Sequence, residues 1–278
     1  MPNPYSISVT GVMDFSVTPF HYYNFQVLKN RPTSNAMLEG RALHLAVLEP
    51  EKFDNEVYTS TFVPDGKFLY DTIADFKRYL TLHKVEHPKG KREDFLKEFL
   101  RVRTEKRDDS AITKPELDQI LATKTKITEG ALENILSMRE SVLAHPWVKA
   151  NIQAEGYKEH SLKGEIDGVE IRGRIDWFFK SRHTGTWAVA DLKKCRSARR
   201  WDWEKTVYQN NYFIQAYLYR ELLRQNFEGA DPIYAYIACE GAAPFITEVY
   251  SADDAQLDGG ERVVKIALNR FKSCVDKD

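Results

Sequence analysis

Two aspartates stand inside short apolar segments that otherwise have the composition of β-strands. Asp176 lies within residues 175–179, and Asp191 follows the apolar residues 187–190. Aspartate is disfavoured within strands, and burying a carboxylate without a partner is costly. The sequence therefore predicts two adjacent strands whose carboxylates meet at one edge of a sheet, together with a positive group that neutralises them.

A divalent cation would neutralise both carboxylates. Hard oxygen ligands suit Mg²⁺ or Mn²⁺, and the carbonyl of Leu192 could supply a further one. Lys193 lies two residues beyond Asp191 and so shares its face of the strand. Such groups can activate a water and neutralise charge on a phosphate, which is what phosphodiester hydrolysis requires. The pattern predicts a metal-dependent nuclease.

Structural interpretations of the same residues remain open at this point. An acid at a strand end can be a turn or cap residue. His44 lies among apolar residues of a predicted helix, where a histidine is more often packed in the core than bound to a metal. Gln215 and Tyr219 are four apart and share a helix face, which ordinary interior packing also explains.

A basic stretch directly follows the second predicted strand. A charge run is usually a solvated face, but the net charge of −1 means that any DNA-binding surface must be local. The position of this stretch suits contact with a phosphate backbone. Its predicted DNA-binding residues are Lys194, Arg196, Arg199 and Arg200.

The predicted elements give an α/β fold. Residues 1–33 are predicted to be irregular with at most one short helix. Helices are predicted over 35–48, 70–82, part of 89–109, 113–143 with a break near Gly130, a short segment from 146, 198–224 and 252–273. Strands are predicted over 157–162, 169–180, 187–192, 233–239 and 244–249. This order predicts one domain of 278 residues, in which a mainly helical part (1–155) precedes a catalytic core (156–278) with a mixed central sheet flanked by helices.

Composition excludes several classes of protein. No apolar run is long enough to span a bilayer, and the first residues lack the features of a signal peptide. The three widely spaced cysteines form neither a disulfide framework nor a zinc pattern. We therefore expect a cytoplasmic protein with no membrane association.

Taken together, these motifs resemble the PD-(D/E)xK nuclease superfamily and its RecB-like members. More closely, they resemble the RecE-type exonucleases (the nuclease domain of exodeoxyribonuclease VIII) and their phage relatives. The resemblance covers most of the chain outside residues 60–112. It is carried by Gly40-Arg41-Ala42-Leu43-His44, Leu48-Glu49-Pro50-Glu51, Gly173-Arg174-Ile175-Asp176, Asp191-Leu192-Lys193, and Gln215 with Tyr219.

The resemblance implies a restriction-endonuclease-like core and assigns roles to individual residues. Asp176, Asp191 and the Leu192 carbonyl would bind Mg²⁺, with His44 as a ligand or neighbour of the ion. Lys193 would be the catalytic lysine. Gln215 and Tyr219 match the helix motif that flanks the site, and Glu159 is a further candidate for an accessory acid.

The implied activity is digestion of linear double-stranded DNA from the 5′ end, leaving a 3′ single strand for recombination. The implied partners are a RecT-like single-strand annealing protein and further copies of the chain, in a homo-oligomer such as a ring tetramer. One alternative is a Cas4-like or RecB-like nuclease that acts on single strands or flaps. Another is a non-catalytic DNA-binding module.

Overall fold

The computed structural model describes residues 5–152, 154, 156–182 and 184–277. The helices are α1 (Val9–Val17), α2 (Pro19–Tyr22), a π-helical segment (Tyr23–Val27), α3 (Asn35–Leu48), α4 (Pro50–Glu56), α5 (Ile73–Leu82), α6 (Arg92–Lys106), α7 (Lys114–Leu121), α8 (Glu129–Ala144), α9 (Pro146–Asn151), α10 (Arg200–Gln209), α11 (Tyr212–Asn226) and α12 (Asp254–Val275). The strands are β1 (Ser6–Ser8), β2 (Val57–Tyr58), β3 (Phe68–Tyr70), β4 (Ala111–Thr113), β5 (Thr125–Lys126), β6 (Gly156–Ile166), β7 (Val169–Lys180), β8 (Trp187–Cys195), β9 (Ile233–Glu240) and β10 (Thr247–Ser251).

The chain divides into two compact units. The smaller unit is Asn55–Thr128, in which α5 and α6 pack around a cluster that includes Phe76, Tyr79 and Phe99, beside the short parallel pairs β3–β4 and β2–β5. The larger unit comprises Met1–Asp54 and Glu129–Asp278. It contains the large sheet and every residue that the sequence assigned to the site.

The sheet of the larger unit is mixed, as the sequence predicted. Strands β6, β7 and β8 are antiparallel neighbours, β9 joins β8 in parallel, and β10 joins β9 antiparallel. The β6–β7 hairpin turns through Asp167 and Gly168, which both have positive φ, as a two-residue hairpin turn requires. That turn fixes the pairing of the hairpin along its length.

Two strands pair with separate parts of the same edge of β7. β1 pairs in parallel with residues 170–172 of β7, and β8 pairs antiparallel with residues 177–180. Within the described chain, residues 173–176 have no strand partner on that edge. This four-residue gap contains Asp176.

Helices cover the two faces of the sheet. On one face α11, α12 and α1 pack over a core that includes Ile171, Ile175 and Leu222. On the other face α3 contacts β7 and β8, and α8 contacts β9 and β10. The expectation for this core is therefore confirmed: it is a mixed sheet flanked by helices.

The regular alternation of β7 side chains between the two faces of the sheet is interrupted near Asp176. Ile175 and Phe178 both belong to the core beneath α11, although side chains three apart in a regular strand face opposite ways. Trp177 instead contacts Trp147 of α9, with ring centroids 6.1 Å apart. Opposite this point on β6, Glu159 has a φ of 49°. Such local irregularities re-aim side chains next to functional sites.

The prediction for residues 1–33 was wrong. Residues 1–4 lie outside the described residues, and residues 6–27 form β1, α1, α2 and the π-helical segment, because Ile7, Val9, Val12 and Phe15 are buried in the core beneath α11 and α12. The predicted break near Gly130 was also misplaced: α7 ends at Leu121 and α8 begins at Glu129. Among the described residues, no helix has both the length and the apolar character needed to cross a membrane.

The packing of α12 on α11 predicts opposite effects for two adjacent glycines. A Cβ on Gly260 would lie 2.6 Å from the Phe213 carbonyl oxygen and 2.8 Å from Tyr217 Cβ, so Gly260→Ala should destabilise the protein by about 1–3 kcal/mol. A Cβ on Gly259 would approach nothing closer than 3.7 Å, so Gly259→Ala should be neutral or stabilising by roughly 0.5–1 kcal/mol. Urea denaturation of the two variants measures the difference, and equal midpoints would contradict it.

Candidate active site

Three acids form a row across neighbouring strands at the gap in β7. The pairing of β6 with β7 places Glu159 opposite Asp176, between the pairs Lys158–Trp177 and His160–Ile175, and the ladder is interrupted at this position. The pairing of β7 with β8 stops at Trp177 and Ala190, one position before Asp176 and Asp191 would be opposed. Like charges directly opposite one another are unfavourable in a sheet. The sequence thus places three carboxylates together where regular pairing ends.

Asp176 compensates for part of the missing backbone pairing. Its Oδ2 accepts a hydrogen bond from the backbone N–H of Leu192 at 3.1 Å, so a side chain of β7 holds β8 where the ladder has stopped. The residue is buried, with 9% of its surface exposed. This bond fixes one carboxylate oxygen and orients the group toward the space between the strands.

His44 reaches the row from α3. Ser34 caps this helix, and its apolar residues, including Leu43 and Val47, are buried. The Nε2 of His44 lies 2.7 Å from the carbonyl oxygen of Leu192. Its Nδ1 lies 3.5 Å from a carboxylate oxygen of both Glu159 and Asp176.

The geometry of these three side chains fits a metal ion. One ligand atom from each of His44, Glu159 and Asp176 lies within 4.8 Å of the others. Two carboxylates with one imidazole suit Mn²⁺, and carboxylates with a nearby carbonyl oxygen suit Mg²⁺. The carbonyl of Leu192 already faces the same imidazole.

Asp191 and Lys193 form the innermost part of the site. Asp191 is 1% exposed, and the ammonium of Lys193 lies 2.7 Å from its Oδ1 and 2.6 Å from its Oδ2. Oδ2 receives no well-aligned hydrogen bond from the described residues, so it has a lone pair available for a further ligand. Lys193 also lies over the ring of Tyr212, 5.2 Å from its centroid.

The protonation of the site reflects its excess of carboxylates. Burial by itself lowers the pKa of His44, but the carboxylates of Asp176 and Glu159 outweigh burial and raise that pKa to about 9. Burial raises the pKa of Asp191 to about 6, and Asp176 contributes to the rise. Burial lowers the pKa of Lys193, yet Asp191 and Asp176 raise it further than burial lowers it. At neutral pH the imidazole and the ammonium are therefore both charged.

Glu159 is more central than the sequence indicated. Its Oε1 faces His44, and its Oε2 lies 2.8 Å from the Nε of Arg174, whose guanidinium also lies 3.7 Å from Glu49. A hairpin turn at Asp167 and Gly168 was recognisable in the sequence. Counting the pairs back from that turn would have placed Glu159 opposite Asp176.

Gln215 and Tyr219 lie behind the row of acids. The hydroxyl of Tyr219 donates a 2.7 Å hydrogen bond to the carbonyl of Arg174, inside the gap of β7. Gln215 hydrogen-bonds to Tyr219, and burial raises the pKa of Tyr219, so its phenol stays a donor. These two residues support the strand that carries Asp176.

The four predicted DNA-binding residues differ in their surroundings. Lys194 is paired with Glu39, and Arg200 is paired with Glu204 at 3.0 Å. Arg196 and Arg199 are exposed, just after β8 and at the start of α10. The basic stretch is thus partly neutralised by acids of the same unit.

Comparisons with known proteins agree with this fold. A family model described as a PDDEXK-like domain of unknown function (DUF3799) matches residues 8–278. A solved structure described as a "Putative exonuclease" from Eubacterium rectale is 15% identical, covers 99% of this chain and 83% of its own, and has a TM-score of 0.59. The solved structure of SSO0001 is 16% identical over 81% of this chain and 84% of its own, with a TM-score of only 0.28. No curated protein matches the chain.

The raised pKa of His44 predicts that cation binding releases a proton. The pKa of His44 is raised to about 9, so the imidazole is protonated at neutral pH, and it must become neutral to bind a metal ion. At neutral pH we expect release of about one proton per bound Mn²⁺, and an affinity that rises with pH toward 9. Calorimetry in buffers of different ionisation enthalpy counts these protons. His44→Gln should release far fewer, and unchanged release would exclude His44 as the source.

The hydrogen bond from Tyr219 predicts a supporting role for its hydroxyl. Tyr219→Phe leaves the Arg174 carbonyl without this donor, so we expect a loss of about 1–2 kcal/mol in the free energy of unfolding, with weaker Mn²⁺ binding. Tyr217→Phe makes the same chemical change on the same helix, away from the gap, and should leave Mn²⁺ affinity unchanged. If Tyr219→Phe binds Mn²⁺ as the natural protein does, the gap does not depend on this bond.

Proposed function

Because the chain belongs to this PDDEXK-like family, we propose that it is a metal-dependent nuclease that hydrolyses phosphodiester bonds of DNA. In finer terms, we propose a Mg²⁺-dependent 5′-to-3′ exonuclease that acts on linear double-stranded DNA and leaves a 3′ single strand. The observation that carries the proposal is the row of Glu159, Asp176 and Asp191, with Lys193 and His44 against it, at the gap in β7.

The residues that would hold the cation are Asp176, Asp191, His44 and the Leu192 carbonyl, together with Glu159. A bound Mg²⁺, or Mn²⁺ in its place, neutralises phosphate charge and lowers the pKa of a water. Asp176 is held in position by the Leu192 N–H, and Asp191 by the ammonium of Lys193. Both carboxylates are therefore oriented before any ligand arrives, which reduces the cost of assembling the site.

Lys193 would act as a charged donor. Its raised pKa keeps the ammonium protonated at neutral pH, so it is suited to orient the attacking water and to offset charge on the phosphoryl oxygens. A general base would need to be neutral. Tyr212 covers one side of the ammonium and limits its exposure to solvent.

Exonuclease activity has support from outside the site, whereas its 5′-to-3′ direction is proposed on the resemblance to RecE-type enzymes alone. The motifs resemble those of the RecE-type enzymes, and the Eubacterium rectale protein carries an exonuclease description. An iron–sulfur Cas4-like enzyme needs a cluster of four cysteines, whereas this chain has three. The complete set of acids and lysine favours catalysis over a DNA-binding module without activity.

The partners are proposed on the resemblance alone. We propose double-stranded DNA as substrate, a RecT-like annealing protein as partner, and a homo-oligomer such as a ring tetramer in the cytoplasm. Lys194, Arg196, Arg199 and Arg200 are proposed DNA contacts beside β8. Mass measurement in solution tests the assembly, because a ring would have a multiple of the 32.2 kDa chain mass.

A polarity assay tests the proposed activity. On end-labelled linear duplex with phosphorothioates at one 5′ end, we expect digestion from the unprotected 5′ end only. EDTA should abolish digestion, and Mg²⁺ or Mn²⁺ should restore it. Asp191→Asn removes a metal-binding charge and should lower the rate at least about 100-fold while far-UV circular dichroism is unchanged. Asn is preferred to Ala because it preserves packing beside Lys193.

Asp258→Asn is the matched control, because Asp258 is exposed on α12 and should have no effect on the rate. Digestion of single strands or flaps alone would favour the Cas4-like or RecB-like alternative. Full activity in Asp191→Asn would refute the assigned site. A protein that neither binds Mg²⁺ nor cleaves DNA would be the non-catalytic module.

A further inference from the structure

The β6–β7 hairpin has an exposed face beside the candidate site, and part of that face is basic. We define the open ribbon as residues 161–163 of β6 and 172–174 of β7. A Cβ on Gly164 or Gly173 would touch Leu222 of α11, so these positions face the core beneath that helix. Their neighbours Lys163, Arg172 and Arg174 therefore point to the opposite face, and all three are exposed.

The cations of the open ribbon are crowded together. Lys163 pairs directly with Arg172, and Ser161 pairs with Arg174, so Arg174 is diagonal to Lys163. Like charges opposite one another destabilise a sheet. Glu170 is the nearest acid to Arg172, at 4.0 Å, and already accepts a hydrogen bond from Ser6. The stability of the hairpin does not account for this arrangement, whereas an anionic ligand would.

The open ribbon is continuous with the row of acids. Arg174 contacts Glu159 at 2.8 Å and lies two residues before Asp176 on the same strand. Its second acidic contact, Glu49, caps the end of α3, the helix that supplies His44. The basic surface therefore begins where α3 ends and leads outward from the candidate site.

We propose that the open ribbon binds the phosphodiester backbone of a nucleic-acid strand next to the bond that is cleaved; this inference rests on the proposed nuclease function. Lys163 and Arg172 contact phosphates, and the Ser161 hydroxyl is placed to donate to the same backbone. The surface is short, because the next cross-strand pair outward is Glu165 with Glu170, which repels phosphate. Such contacts hold the strand in register on the protein without selecting a base sequence.

Binding of a short fluorescent duplex, followed by anisotropy with Ca²⁺ in place of Mg²⁺, tests the proposal. A gel after each titration checks that the DNA is intact. For Lys163→Gln/Arg172→Gln we expect at least about tenfold weaker binding at low salt, and a salt dependence smaller by about 1.8 in log–log slope, since each lost phosphate contact contributes about 0.9. The unfolding midpoint of this variant should equal or exceed that of the natural protein, because a like-charge pair has been removed.

Lys180→Gln/Arg182→Gln is the matched control. It removes the same two charges near the other end of β7, and its affinity and salt slope should stay unchanged. If the open-ribbon variant keeps the natural affinity and slope, or if both variants lose them equally, the inference is wrong while cleavage by the natural protein still supports the proposed function. If the natural protein cleaves no DNA and binds none, both proposals are wrong.

Discussion

The candidate site depends on a conflict between strand pairing and charge. Regular pairing of β6, β7 and β8 would place Glu159, Asp176 and Asp191 side by side, and the β7–β8 ladder ends one position short of the last pair. The backbone groups near this end need other partners. The hydroxyl of Tyr219 donates a hydrogen bond to the carbonyl of Arg174, and the carboxylate of Asp176 accepts one from the N–H of Leu192. The gap therefore brings Glu159 and Asp176 together with His44, and Asp191 lies deeper, against Lys193.

Each acid of the row has at least one cationic partner among the described residues. Glu159 contacts Arg174, Asp176 lies beside the His44 imidazolium, and Asp191 is bound by Lys193. Buried ion pairs of this kind contribute little net stability, because desolvation offsets the attraction. A cation-binding site explains these ion pairs better than stability does. A bound cation would supply the positive charge that the His44 proton and the Arg174 guanidinium now provide.

The sequence predicted the parts of the site that follow regular strand geometry. Asp191 and Lys193 are two apart on one strand and are in contact, and β7 was predicted with its observed ends. The predicted strands 157–162 and 187–192 were too short, because β6 continues to Ile166 and β8 to Cys195. The sequence indicated Glu159 only as an accessory acid, because its position beside Asp176 depends on pairing across the hairpin and on a backbone φ of 49°. The helices of residues 9–22 were missed because tertiary burial of Val12 and Phe15, rather than local periodicity, stabilises them. The catalytic and metal-binding roles themselves stay predictions.

Arg174 links the row of acids to the open ribbon. Its guanidinium contacts Glu159 at 2.8 Å and Glu49 at 3.7 Å, and it remains about half exposed. It contacts Oε2 of Glu159, whereas His44 faces Oε1, so one carboxylate connects the imidazole to the guanidinium. Guanidinium groups also bind phosphates well through paired hydrogen bonds. Arg174 therefore stands at the boundary between the acids and the basic face of the hairpin.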